Sequence, residues 1–151
     1  MRCFSKCVPR SFAESLTITK RALEHHGLAI MSQTDVRQAL QHHVPSECGP
    51  YVILGACCLE LTRKALSSEE ETSLMLPSSN VVVQQRRGAV EVAAMDPAAM
   101  IGALDDVVMI QMAIDLRCRL QAAFDEIAAE CAGAPRGQSV SQQCASMEMT
   151  G

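Results

Sequence analysis

Two adjacent thiols, Cys57 and Cys58, follow the apolar run Tyr51-Val52-Ile53-Leu54-Gly55-Ala56, and the polar trio Ser78, Ser79 and Asn80 follows Leu76-Pro77. These are the side chains best suited to chemistry or ligand contact. A cysteine attacks as its thiolate, and the first turn of a helix stabilises that form through the helix dipole. Gly55 would let the backbone bend before a short helix whose first turn carries Cys57 or Cys58. The backbone amides of such a turn, with the Ser78 and Ser79 hydroxyls, the Asn80 amide and Pro77, would make the mixed polar rim of a small-molecule site. Two plain structural roles compete with these. A free cysteine is among the most buried residue types, and serine and asparagine often do no more than satisfy a loop backbone.

The other reactive side chains are less well arranged. Eight cysteines, at 3, 7, 48, 57, 58, 118, 131 and 144, contain no C-x-x-C, so neither a thioredoxin-type pair nor a zinc ribbon is written in the chain. No metal site is expected from this spacing. His25-His26 and His42-His43 each fall at the end of a helical segment, where cations complement the helix dipole. Asp105 and Asp106 are neighbours and point in different directions on a helix, so they read as a cap and a first turn. No Ser/His/Asp order or glycine-rich phosphate loop is present, and no motif specifies a cofactor.

Elements to position these residues can be read in order. Residues 2–8 read as a strand stopped by Pro9. Ser11-Phe12-Ala13-Glu14 is a capping box, Phe12, Leu16, Thr19 and Leu23 recur at helical spacing, and Gly27 can end the helix in the left-handed conformation. Leu28–Gln33 reads as a strand, and Asp35 caps a short helix over Val36–His43. The central stretch then reads as strand, thiol-bearing turn, helix over Glu60–Leu66, solvated acidic loop at Glu69-Glu70-Glu71 and strand from Asn80. Asn80–Gln85 and Ala89–Met95 flank Arg86-Arg87-Gly88 as a hairpin, with Val90, Val92 and Ala94 on one face and Glu91 on the other. Asp96-Pro97 starts a short helix to about Ala103. A long helix from Asp105 or Asp106 to about Cys131 carries the stripe Met109, Met112, Leu116, Leu120, Ala123 and Ile127 and should lie across the sheet. Residues 132–151 lack periodicity and read as a disordered tail after a single domain over 1–131.

A chain of 151 residues with 48% hydrophobic content is long enough for one domain with a true core. Thirteen basic against 17 acidic residues, with no Trp, three Phe and one Tyr, argue against nucleic-acid binding by a charged groove and stacked aromatics. No apolar run is long enough to cross a bilayer, and Lys6 interrupts any signal-peptide core, so a cytoplasmic protein without a membrane partner is expected.

Strands and helices of unequal length around a hairpin describe an α+β fold. In that order the chain resembles the bacterial and archaeal domain-of-unknown-function family 302 over roughly residues 2–130. The resemblance rests on Arg2–Val8 with Ser11-Phe12-Ala13-Glu14, on His26–Ile30 ahead of Asp35-Val36, on Tyr51–Cys57, on Leu76-Pro77 leading into Asn80–Val83, and on Val90–Pro97. It implies a curved antiparallel sheet of four or five strands backed by helices, the long C-terminal one among them, and it implies a homodimer. Family members typically carry Gly-x-Cys-Asn-Pro at the central turn, where this chain has Cys58 and Leu59 after Cys57. They also carry a second cysteine after Leu-Pro, where Ser78 or Ser79 stands here with one residue inserted. A redox or metal pair built from the two family thiols would retain only Cys57, and vicinal Cys58 is poorly placed to replace the other.

Three functions fit these residues. The first is a homodimeric domain binding a small ligand near Cys57, Cys58, Pro77, Ser78, Ser79 and Asn80. The second is a thiol enzyme or carrier in which Cys57 is the catalytic residue. The third is a structural or interaction subunit.

Overall fold

The computed structural model describes residues 3–67, 78–101 and 107–132. Five strands and five helices alternate as β1 (Cys3–Val8), α1 (Phe12–His25), β2 (Leu28–Asp35), α2 (Val36–Ala39), β3 (Tyr51–Cys58), α3 (Leu59–Ser67), β4 (Ser78–Arg86), β5 (Ala89–Met95), α4 (Ala98–Ile101) and α5 (Val107–Ala132). The strands form one antiparallel sheet in the order β1-β5-β4-β3-β2. This is the expected α+β class, with the long helix in its expected place.

Alternation along the strands decides which face is buried. Val52, Leu54, Ala56 and Cys58 of β3, Val81 and Val83 of β4, and Val90, Val92 and Ala94 of β5 enter one core with Ile18, Ala22 and Leu23 of α1. Helix α5 supplies Met112, Leu116, Leu120, Ala123 and Ile127, the stripe read from the sequence, with Met109 packed at its margin. It also supplies Phe124, which is fully buried and meets the Phe4 ring of β1 at a centroid distance of 5.6 Å. The sequence stripe omits Phe124, because burial between α1 and β1 widens the apolar face of α5 beyond a single row. Ser15 and Thr19 are also fully buried, but each hydroxyl donates to a carbonyl one turn earlier, to Ser11 O at 2.8 Å and to Ser15 O at 2.7 Å. Those bonds remove the cost of burying an unpaired hydroxyl.

Several boundaries follow the local signals. Ser11 caps α1 through a bond accepted from the Glu14 amide, and Gly27 follows the helix at φ +78°. Arg87 and Gly88, at φ 51° and 79°, form a two-residue turn in the left-handed backbone conformation, which matches the right-handed twist of the paired strands. Asp96 caps α4 at the Ala98 amide and also accepts from Arg117 Nε at 2.9 and 3.0 Å, so one buried carboxylate ties the end of β5 to α5.

Other boundaries move. The helix expected over Val36–His43 ends at Ala39 and gives way to turns over Leu40–Val44, closed by the His43 and Val44 amides, which both donate to the Leu40 carbonyl. Strand β2 runs on to Asp35, with a bulge at Met31 where the register shifts between Ile30 and Ser32. The Glu69–Glu71 loop, the Asp105-Asp106 cap, Cys144 and the segment 133–151 lie outside the described residues.

Replacing Phe124 by Ala should cost about 3–5 kcal/mol, the usual loss for deleting a fully buried aromatic ring. Urea unfolding followed by circular dichroism measures it, and Met109→Ala at the core margin should cost much less.

Candidate functional site

The expected turn at Gly55 is not formed, and this changes the setting of both central thiols. Gly55, Ala56, Cys57 and Cys58 continue β3 without a bend, and helix α3 begins only at Leu59. Pairing on both sides explains this, since Gly55, Ala56 and Cys57 face Asn80, Ser79 and Ser78 of β4 and lie against Ser32, Ile30 and Ala29 of β2. A central strand with two hydrogen-bonded neighbours loses its ladder if it bends. Gly55 serves a close approach instead. A Cβ there would collide with Ser32 Oγ, which the Met31 bulge brings over the glycine.

Cys57 and Cys58 are therefore strand residues with opposite orientations. Cys58 faces the helices, fully buried in the core, and Cys57 faces the other way and is still only 3% exposed. Cys58, which directly precedes α3, is fully buried in the core, and Cys57 stands one residue further back from the start of that helix.

The polar trio also belongs to a strand. Strand β4 starts at Ser78, two residues before the expected start at Asn80, and alternation along it separates Ser78, Ser79 and Asn80. Ser78 lies opposite Cys57 and Asn80 opposite Gly55, both on the face turned away from the helices, whereas Ser79 lies opposite Ala56 on the helix side. The structure thus brings Cys57, Ser78 and Asn80 together on one face and puts Cys58 and Ser79 on the other. Pro77 lies outside the described residues.

The face bearing Cys57, Ser78 and Asn80 is covered by no helix among the described residues at its centre. Across it run Thr34, Ile53, Val82, Ala93 and Ser5, with Tyr51, Gln84, Glu91 and Cys7 in the next row. Glu91 is the one charge among these rows, and it is held by the Ser5 hydroxyl at 2.6 Å and the Gln84 amide at 3.4 Å. Met95, which pairs with Cys3 on the same face, is 54% exposed.

The same family of folds is found by comparison. A family model described as "Domain of unknown function DUF302" matches residues 4–127. The chain belongs to the DUF302 family. A crystal structure of an uncharacterised conserved DUF302 protein from Bacillus stearothermophilus shares the fold, with a TM-score of 0.70 and 24% identity over 84% of this chain and 98% of that one. No curated protein matches. For this DUF302 chain the family assignment carries a fold and no activity.

Among the described residues no three His, Cys, Asp or Glu side chains are grouped to hold a metal ion, and no helix is long and apolar enough to cross a membrane. Sequence reasoning missed the polar contacts around the two helix-end histidines of α1. His25 Nδ1 lies 3.0 Å from Glu126 Oε1, a partner 101 residues away in sequence that no local spacing reveals. The remaining thiols differ in setting. Cys3 and Cys7 are exposed on β1, Cys118 is buried, and burial pushes the Cys131 thiol up, with nearby Arg10 pulling it down.

These settings predict an order of alkylation in the reduced native protein. Cys3 and Cys7 should react first, and Cys57, Cys58 and Cys118 should react at least ~100-fold more slowly, through transient opening. Peptide mass spectrometry of a time course resolves each site, and rapid labelling of Cys57 would restore the case for a reactive thiol.

Proposed function

We propose that this DUF302 chain is a homodimeric domain that binds a small molecule, and that its second copy covers the sheet face turned away from the helices. The observation that carries this reading is the scarcity of charge in the central rows of that face. Ile53, Val82, Ala93 and Tyr51 form its centre, and Glu91, the single charge of the central rows, is already bonded within the face. Interface centres are depleted of charge in this way, while ordinary protein surface is not.

The size is also suitable. With strands about 4.8 Å apart and same-face residues about 6.8 Å apart, a five-stranded face of this length offers roughly 650 Å² per copy. Two copies stacked through it would bury roughly 1,300 Å², within the range of stable interfaces. Cys57, Ser78 and Asn80 lie at the end of the same face, so a partner laid over its centre would wall the ligand on one side. Among them Asn80 and Ser78, both exposed, supply the hydrogen bonds, and Cys57 lies buried beneath them.

Native mass spectrometry tests both halves of the proposal. The protein should run as a dimer, and Val82→Arg, which sets an unpaired charge at the centre of the face, should give a monomer with an unchanged far-ultraviolet circular dichroism spectrum. A co-purifying small molecule should appear as added mass and be lost in Asn80→Ala. A monomeric parent protein would remove the dimer, and a dimer of the bare chain mass in every preparation would remove the ligand.

A further inference from the structure

The turn that joins α1 to β2 gathers more polar contacts than its length requires. The Gly27 carbonyl accepts from the Leu59 amide, the first residue of α3, at 3.2 Å. The His26 carbonyl accepts from Arg119 Nη1 of α5 at 3.1 Å, and Nη2 of the same guanidinium donates to Glu60 of α3 at 3.2 Å. His25 closes the other side through Glu126 of α5. Three consecutive residues thus link the end of α1, the middle of α5 and the start of α3. Gly27 has φ +78°, which strains a residue with a Cβ, and a Cβ there would also displace the Arg119 guanidinium.

Within this junction the His26 Nδ1 is buried and makes no hydrogen bond among the described residues. The charged and titratable groups around it are Glu126, Arg119 and Asp125 on α5 and His25 on α1, with Glu60 of α3 reached through Arg119. Two of these, His25 when protonated and Arg119, are cations that a charged His26 would oppose. We propose that His25-His26-Gly27 is an acid-sensitive clamp on the N-terminal end of α3: protonation of His26 places a second cation beside Arg119, and Arg119 then releases Glu60 and the first turn of α3.

The sign of the effect follows from the surroundings. Desolvation by burial lowers the pKa of His26, and the attraction of Glu126 does not offset it. A histidine whose folded pKa is lowered is harder to protonate in the native protein than in the unfolded chain. Its contribution to stability is therefore complete above the ordinary histidine value of about 6.5 and is lost progressively as pH falls from there through the lowered folded pKa. Exposed pairs such as Lys64 with Glu60 contribute little to holding α3 in its place. Arg119 is better placed, being three-quarters buried and bonded to two elements at once. Because α3 follows Cys58 without an intervening residue, opening of the clamp also frees the end of β3 that carries the two buried thiols. This inference does not depend on the dimer or on a bound ligand.

Hydrogen exchange of the full chain between pH 5 and 7.5, corrected for the intrinsic pH dependence of exchange, tests it. The Leu59 amide should lose protection by about tenfold or more below pH 6, with β4 and β5 amides unchanged relative to one another. His26→Gln, which keeps a polar side chain that cannot titrate, should retain protection at Leu59 across the range. A flat Leu59 profile in the parent protein, or an equal loss in His26→Gln, would overturn the clamp. Should His26→Gln fail to fold, nuclear magnetic resonance titration of the parent protein decides. The His26 ring must then titrate together with Leu59 protection, and titration of His26 without that loss counts against the proposal.

Discussion

Burial of one face of the sheet beneath α1 and α5 is the constraint on which the remaining structure depends. Leu116, Leu120, Phe124 and Ile127 of α5 share one core with Val81, Val83 and Val92 of the central strands. Helix α5 packs on β1 and α1, and α1 reaches β4 and β5, with Ala22 and Leu23 in the same core. Strand side chains alternate with a period of two, so once this face is buried each residue of β3, β4 and β5 is assigned to one side or the other. A slip of one residue in β4 would bring Val82 and Gln84 into the core and expel Val81 and Val83. The register is therefore held by hydrophobic burial, with the hairpin at Arg87-Gly88 and the Asp96–Arg117 pair fixing its ends.

That assignment creates the second feature of the molecule, a sheet with two unlike faces. The helix side is aliphatic and closed. The opposite side combines Ile53, Val82 and Ala93 with Ser5, Thr34 and Gln84 and leaves Glu91 internally bonded. Such a surface is neither core nor ordinary solvated surface. It also separates the neighbours that looked like one site in the sequence, since Cys57, Ser78 and Asn80 share a face and Cys58 and Ser79 share the other.

A third feature concerns how the elements meet at one end. The last turn of α1, the start of α3 and the middle of α5 are joined mainly through backbone carbonyls of His26 and Gly27 and the Arg119 guanidinium. Guanidinium groups suit such a place because their donors are arrayed in a rigid plane that can serve two acceptors on different elements. The same crowding leaves His26 Nδ1 without a hydrogen-bond partner among the described residues, and burial lowers the pKa of that ring.

What the sequence determined by itself is what local chemistry governs. The helix caps at Ser11 and Asp35, the glycine after His26, the hairpin around Arg87-Gly88 and the apolar stripe of α5 each depend on residues within a few positions of one another, and each element starts where its signal lies, although the helix after Asp35 stops at Ala39. The family resemblance, carried by short motifs in the same order, led to the right fold for the same reason. Only tertiary structure decided the state of Gly55 to Cys58. Taken alone, a glycine followed by two cysteines permits a bend into a helix, but strands on both sides hold that segment straight and the Met31 bulge sets Ser32 against Gly55. The serines and asparagine became strand residues through the same pairing. Phe124 at the centre of the core, and Glu126 and Arg119 at the α1 junction, depend on contacts across about a hundred residues of chain, which spacing along one element cannot encode.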